Sequence, residues 1–110
     1  MGEQPVDAEL LHQLLALRER EWVEFKVNNA DPEQTGKTLS AVANSAALHN
    51  EKHGYMVWGV GDDTHSVVGT SFDPRRQKVG NQDLLSWLTI LLEPRPALED
   101  STFEYEGKRV

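Results

Sequence analysis

Residues 55–60 constrain the fold more than any other part of the chain. Their sequence, Tyr-Met-Val-Trp-Gly-Val, is an almost continuous apolar run that follows one glycine and precedes another. Such runs are typical of a β-strand that is covered on both faces, because an exposed face would carry polar residues at every second position. The segment therefore predicts a strand in the interior of the domain.

The stretch Glu-Arg-Glu-Trp-Val-Glu-Phe-Lys, residues 19–26, alternates in polarity toward its end. Apolar residues fall at every second position, at Val23, Phe25 and Val27. This period of two predicts a strand with one buried face. The other face carries Trp22, Glu24 and Lys26, and Glu19 lies just upstream. Carboxylates beside a lysine fit three kinds of surface: a solvated strand face, a metal site or a phosphate-facing site.

Apolar spacing predicts three helices, over about residues 7–20, 31–48 and 81–93. A loose tail of residues 1–5 precedes the first. The predicted capping residues are Asp7, Asp31 with Pro32 behind it, and Asn81. Side chains of this kind accept hydrogen bonds from the free N–H groups of a first helical turn, and proline suits the first helical position.

Two hairpins are predicted from turn residues. In the first, residues 66–70 return along the apolar strand after a turn at residues 61–65. In the second, a strand over residues 102–105 reaches a turn at Glu106-Gly107, and the next strand begins at Lys108. Because the sequence stops within this hairpin, we expect it to belong to a longer protein with a further C-terminal region.

The composition predicts one domain over residues 1–110, which is long enough for a single core. Cysteine is absent, so disulfides and thiolate metal sites are excluded and a reducing cytoplasm is the natural expectation. No apolar run approaches the roughly 20 residues that a membrane helix needs. The net charge of -7 opposes a globally basic groove for nucleic acid, although a local basic patch is compatible with it.

Gly36-Lys37-Thr38 matches the end of a phosphate-binding loop. The full motif needs a glycine at the position of Asp31. Because a helix is predicted to begin at Asp31-Pro32, Lys37 would lie within that helix, away from the free N–H groups that gather an anion. ATP binding by this segment is therefore not expected.

Asp62 follows the glycine-rich segment of residues 59–61. It is either a turn residue of the first hairpin or a third carboxylate brought against Glu19 and Glu24. Three carboxylates around one point favour Mg²⁺ or Mn²⁺, which take oxygen ligands and assist the cleavage of phosphodiesters.

Four segments in this order resemble the Schlafen AlbA_2 domain, also called the divergent AAA-4 domain. They are residues 19–26, 39–45, 54–63 and 67–70, and the resemblance spans about residues 18–105. It implies an α+β fold in which a mixed β-sheet is flanked by about three helices. It also implies nucleic-acid binding, and a place at the N-terminus of larger bacterial proteins described as transcriptional regulators or helicase-related proteins.

The animal Schlafen branch of this family resembles an RNA endonuclease, which cuts tRNA or rRNA with two glutamates, one aspartate and a divalent metal. The resemblance therefore implies a similar set of acids in this chain. Matched by motif, these acids fall on Glu19, Glu24 and Asp62, or on Asp63 if the turn is displaced. The chain departs from the family pattern after the second helix, where a Gly-Gly pair is reduced to Gly54. That nuclease also pairs two such domains in a positively charged cradle, whereas this chain has one copy and a negative charge.

Three functions are consistent with these observations. The favoured one is a DNA-binding or other nucleic-acid-binding module of a transcriptional regulator, with structural acids such as Glu24 paired to Lys26. Its phosphate contacts would be Lys26, Arg75, Arg76 and Lys78. The second is a metal-dependent endoribonuclease in which the three acids bind Mg²⁺ or Mn²⁺ and Lys26 stabilises the phosphorane charge. The third is a structural module that forms a homo-oligomer.

Overall fold

The structure is a computed structural model and describes residues 5–16, 22–61, 65–91 and 98–110. Within these ranges the chain is α+β with three helices, as the sequence predicts. Its described strands form three two-stranded sheets, one parallel and two antiparallel, and not the one mixed sheet that was expected. The helices are α1 (Pro5–Ala16), α2 (Pro32–Leu48) and α3 (Leu84–Leu91). The strands are β1 (Val23–Lys26), β2 (Tyr55–Trp58), β3 (Lys78–Val79), β4 (Gln82–Asp83), β5 (Glu104–Tyr105) and β6 (Lys108–Arg109).

The unit β1–α2–β2 organises the fold. β1 and β2 pair in parallel, with Val23 opposite Tyr55 and Lys26 opposite Trp58. Parallel neighbours need a crossover connection, and α2 supplies it. The Lys26 carbonyl also accepts hydrogen bonds from the backbone N–H groups of Gly59 (2.8 Å) and Val60 (3.2 Å), which carries the pairing beyond β2.

One face of the β1–β2 sheet packs in a core with α1. Val23 and Phe25 are buried there, and Phe25 is only 3% exposed. The other buried members of this cluster are Leu11, Leu14, Val60 and Val110. The predicted burial of Val23 and Phe25 is confirmed. The predicted burial of Val27 is wrong, because β1 ends at Lys26 and Val27 is 39% exposed.

The opposite face of the sheet meets a second core. Trp58 packs there with the buried side chains of Phe72, Leu84 and Leu88, and its ring centroid lies 4.3 Å from that of Phe72. The indole N–H of Trp58 donates to the Asn29 carbonyl at 2.8 Å. Every residue of β2 is half-buried, in keeping with a strand that has neighbours on both faces.

Helix α2 begins as the sequence predicts. Asp31 is its N-cap, because the carboxylate accepts from the backbone N–H of Gln34 at 3.0 Å and Pro32 is the first helical residue. Lys37 is exposed and lies inside the helix, not before it. The segment Gly36-Lys37-Thr38 therefore does not form a phosphate-binding loop. Among the described helices, none is long and apolar enough to cross a membrane.

The predicted start of the first helix is corrected. Helix α1 begins at Pro5, so Asp7 lies in its first turn and is not the N-cap. A proline fits the first turn because the missing N–H would have no helical partner there. The predicted end near Arg20 lies outside the described residues.

Helix α3 is capped by Asp83, and the prediction of Asn81 is wrong. The Asp83 carboxylate accepts from the backbone N–H of Ser86 (3.0 Å) and from its hydroxyl (2.8 Å). These bonds hold the pKa of the Asp83 carboxyl below its usual value. Asn81 lies in the turn between β3 and β4, beside Gly80.

The two predicted hairpins differ in extent. The returning segment 66–70 forms a single bridge, from Val67 to Val60, and no longer strand is found in the described part of it. The hairpin of β5 and β6 is confirmed, and its turn has positive φ at Glu106 (52°) and Gly107 (79°). Positive φ at both central residues is typical of a type I′ turn, in which the twist of the backbone matches the right-handed twist of the two strands.

Candidate nucleic-acid interface

Glu24 is the one member of the predicted three-acid set that the structure describes. It is half-buried in β1 and lies opposite Met56. Glu19, Asp62 and the alternative Asp63 fall outside the described residues. Within the described ranges, no group of three acids or histidines could hold a metal ion. The three-acid site therefore stays a prediction.

Lys26 shares the face of Glu24 at the end of β1. With Met56 it lines a narrow cleft against α2, whose side of the cleft is formed by Gln34, Thr35 and Thr38. Both side chains are half-buried, yet the described part of the chain shows no ion pair between Glu24 and Lys26. The pairing expected for a purely structural Glu24 is thus not formed.

Arg75 is fixed by a carboxylate. Its guanidinium donates to both oxygens of Asp100, at 2.9 Å from Nε and 2.8 Å from Nη2. The side chain is nevertheless 68% exposed. The hydrogen bonds and charge of Asp100 raise the pKa of Arg75, and the Asp100 carboxylate largely balances the charge of this guanidinium.

Arg76 and Lys78 are the less constrained cations of the same segment. The Arg76 side chain is 90% exposed, and its Nε lies 3.7 Å from the Asp73 carboxylate, beyond hydrogen-bonding distance. Lys78 is exposed in β3 opposite Asp83, whose carboxylate is engaged by Ser86. The two cations are thus available to an external anion.

Backbone hydrogen bonds hold this basic segment in place. The Asp73 carbonyl accepts from the N–H groups of Arg76 (3.1 Å) and Gln77 (2.9 Å). The Gln77 carbonyl in turn accepts from the N–H of Leu84 at 2.7 Å, which ties the segment to the first residue of α3. Arg76 is therefore presented from a supported turn, and Lys78 from strand β3, which follows it.

Arg109 is a supporting residue that the sequence did not predict. Its Nη1 donates to the carbonyls of Thr70 (3.2 Å) and Phe72 (2.6 Å), and its Nη2 lies 3.8 Å from the Asp73 carboxylate. These contacts join β6 to the start of the basic segment. No local motif marks Arg109, because its partners lie more than thirty residues away in the chain.

A polar groove lies beside Arg76, with a volume of about 240 Å³. Its lining residues are Asn28, Ser71, Phe72, Asp73, Arg76 and Gln77. Asn28 joins the end of β1 to this segment, because its Oδ1 accepts from the Thr70 hydroxyl (2.6 Å) and the Ser71 N–H (3.1 Å). The sequence predicted only a turn at Asn28.

The comparisons with known proteins identify the family. The family model described as Schlafen, AlbA_2 matches residues 19–110, which is most of the chain. No curated protein and no solved structure matches the chain at a significant level. The matched range includes β1, α2 and β2 and extends through the basic segment to the last strand. The chain therefore belongs to the Schlafen AlbA_2 family, and this membership relates it to nucleic acids.

Proposed function

We propose that the chain is a nucleic-acid-binding domain, and that it serves as the DNA-binding part of a transcriptional regulator. The exposure of Arg76 on a supported turn, and of Lys78 in the strand that follows, carries this proposal. Arg75 and Lys26 are the further candidate phosphate contacts. Arg75 would act by sharing its guanidinium between Asp100 and a phosphate, because one of its terminal nitrogens makes no bond to that carboxylate.

The overall negative charge does not prevent such binding. At physiological salt the Debye length is about 8 Å, so carboxylates farther away are largely screened from a phosphate bound at Arg76. Three described acids, Asp73, Asp83 and Asp100, act electrostatically on the neighbouring Arg75, and each accepts hydrogen bonds from protein groups. The local balance around Arg76 and Lys78 therefore favours an anion more than the net charge of -7 suggests.

The double substitution Arg76→Ala/Lys78→Ala tests these contacts. We expect it to weaken binding to a fluorescent oligonucleotide about tenfold at low salt, uniformly across sequences. The slope of log K against log salt should fall by about 1.8 in magnitude for duplex DNA, or 0.9 for each lost contact. Fluorescence anisotropy at a series of salt concentrations measures both quantities.

Lys37→Ala/Lys52→Ala is the matched control. It removes the same charge from two exposed lysines on or just after α2, and it should leave the salt slope unchanged. Equal losses in the two double variants would show that total charge, and not this segment, determines binding.

We also propose a second candidate, an endoribonuclease that depends on Mg²⁺ or Mn²⁺. The observation that favours it is the pair Glu24 and Lys26, two half-buried ionic side chains on one strand face that form no ion pair with each other. Glu24 would be a metal ligand together with Glu19 and Asp62, and Lys26 would stabilise charge on the phosphorane. Because Glu24 and Lys26 do not pair with each other, the carboxylate is left to share a metal with the other two acids and the ammonium group is left to meet a phosphate.

A further inference from the structure

The groove beside Arg76 combines unused hydrogen-bond donors with an unused acceptor. The donors come from Asn28, whose Oδ1 already accepts from Thr70 and Ser71. The free capacity of this amide is therefore its NH₂ group. Within the described residues, that group has no hydrogen-bond partner.

The acceptor comes from Asp73. Its Oδ1 accepts from the backbone N–H of Arg75 at 2.9 Å. Its Oδ2 lies 3.7 Å from Nε of Arg76 and 3.8 Å from Nη2 of Arg109, which is too far for a hydrogen bond. Oδ2 is thus a carboxylate oxygen that lies between two guanidinium groups and accepts a hydrogen bond from neither.

The size of the groove limits the ligand. Its volume of about 240 Å³ is below the roughly 300–1,000 Å³ of pockets for drug-sized ligands. Its lining includes the buried Phe72 and the exposed Arg76 and Gln77. This volume suits a ligand with one planar polar ring system. Arg76 is placed to bind an anionic group that is attached to that ring system.

We infer that this groove binds one unpaired guanine base of a single-stranded nucleic acid, with Arg76 contacting the adjacent phosphate. This inference rests on the proposed nucleic-acid binding and names the form of its ligand. Guanine offers two neighbouring N–H donors, at N1 and N2, to the Asp73 carboxylate. Its O6 offers an acceptor to the NH₂ group of Asn28. This edge is free only when the base is unpaired.

The other bases fit the same groups less well. Adenine and cytosine each place a ring-nitrogen acceptor beside the amino group, and that acceptor would face the carboxylate of Asp73. Uracil presents a single N–H between two carbonyls. Because a carboxylate can only accept hydrogen bonds, guanine is the base that uses both of its oxygens.

The test compares a short oligouridine with the same oligomer that carries one central guanosine. Fluorescence anisotropy with the full chain should show roughly 5- to 150-fold tighter binding of the guanosine oligomer, the range for one good bidentate contact. Replacing that guanosine by inosine, which lacks the 2-amino group, should remove most of the preference. The inosine measurement needs no change to the protein.

Two nearly isosteric substitutions test the protein side. Asp73→Asn retains an oxygen to accept from the Arg75 N–H, and Asn28→Asp retains one for Thr70 and Ser71. Each should reduce the preference for guanosine to less than about twofold, because each replaces a donor or acceptor by its opposite.

The outcomes separate this inference from the broader proposal. Equal binding of the two oligomers by the unaltered chain would overturn guanine recognition and leave nucleic-acid binding intact. Failure to bind either oligomer while a DNA duplex is bound would overturn guanine recognition alone, and failure to bind all three at low salt would overturn both. A preference that survives with inosine, or in Asp73→Asn, would show that the base is recognised elsewhere.

Discussion

Replacing Phe25 by alanine should lower the free energy of unfolding by about 3–5 kcal/mol, the usual range for a buried phenylalanine. The Phe25 side chain is 3% exposed and packs in the core with Leu11 and Leu14 of α1 and with Val60. Its ring also contacts His65, with centroids 4.6 Å apart. The loss combines the transfer free energy of the ring with the cavity left between the sheet and α1.

Urea unfolding of the variant measures this change, as a lower midpoint at an unchanged slope. Val27→Ala is the control from the same stretch of chain, and it should change stability by about 0.5 kcal/mol or less because Val27 is exposed. Similar losses in the two variants would contradict the assignment of Phe25 to the covered face of β1.

Replacing Glu24 by glutamine should abolish most nuclease activity, if the domain cleaves RNA as the second candidate function proposes. We expect the rate of tRNA cleavage with Mn²⁺ to fall about 100-fold or more, because glutamine lacks the charge that a hard cation requires. The substitution keeps the size of the side chain. It also breaks no ion pair found in the described part of the structure, so folding should be little affected.

Glu33→Gln serves as the control for this change. Glu33 is exposed in the first turn of α2, so the variant carries the same loss of charge away from the β1 strand. Cleavage should continue at the unaltered rate in that variant. Equal residual cleavage by Glu24→Gln and the unaltered chain would rule out Glu24 as a metal ligand.

The sequence predicted the elements β1, α2 and β2 well, because the signals for each are local, whereas the parallel pairing of β1 with β2 was not predicted. The alternation at Val23 and Phe25, and the pair Asp31-Pro32, act within a few residues of chain. The cap of α3 was predicted two residues too early. Asn81 and Asp83 both have side chains suited to capping, and the pairing of β3 with β4 is what places Asp83 at the helix start.

The candidate site was less accessible to sequence reasoning. Arg75, Arg76 and Lys78 were predicted as a cluster by their proximity in the chain, but the bond from Arg75 to Asp100 spans 25 residues. The contacts of Asn28 with Thr70 and Ser71 span more than 40 residues, so they could not be predicted from the residues next to Asn28 in the sequence. The polarity pattern placed Glu24 and Lys26 on one face, but it could not show that α2 lies against that face.

The salt dependence of nucleic-acid binding by the unaltered chain tests the proposed function most directly. Fluorescence anisotropy with a labelled duplex, repeated from low to physiological salt, gives the slope of log K against log salt. Two to four phosphate contacts, from Arg76 and Lys78 alone or with Arg75 and Lys26, predict a slope between about −1.8 and −3.6. A slope near zero, or no binding of DNA or RNA even at low salt, would contradict the proposal.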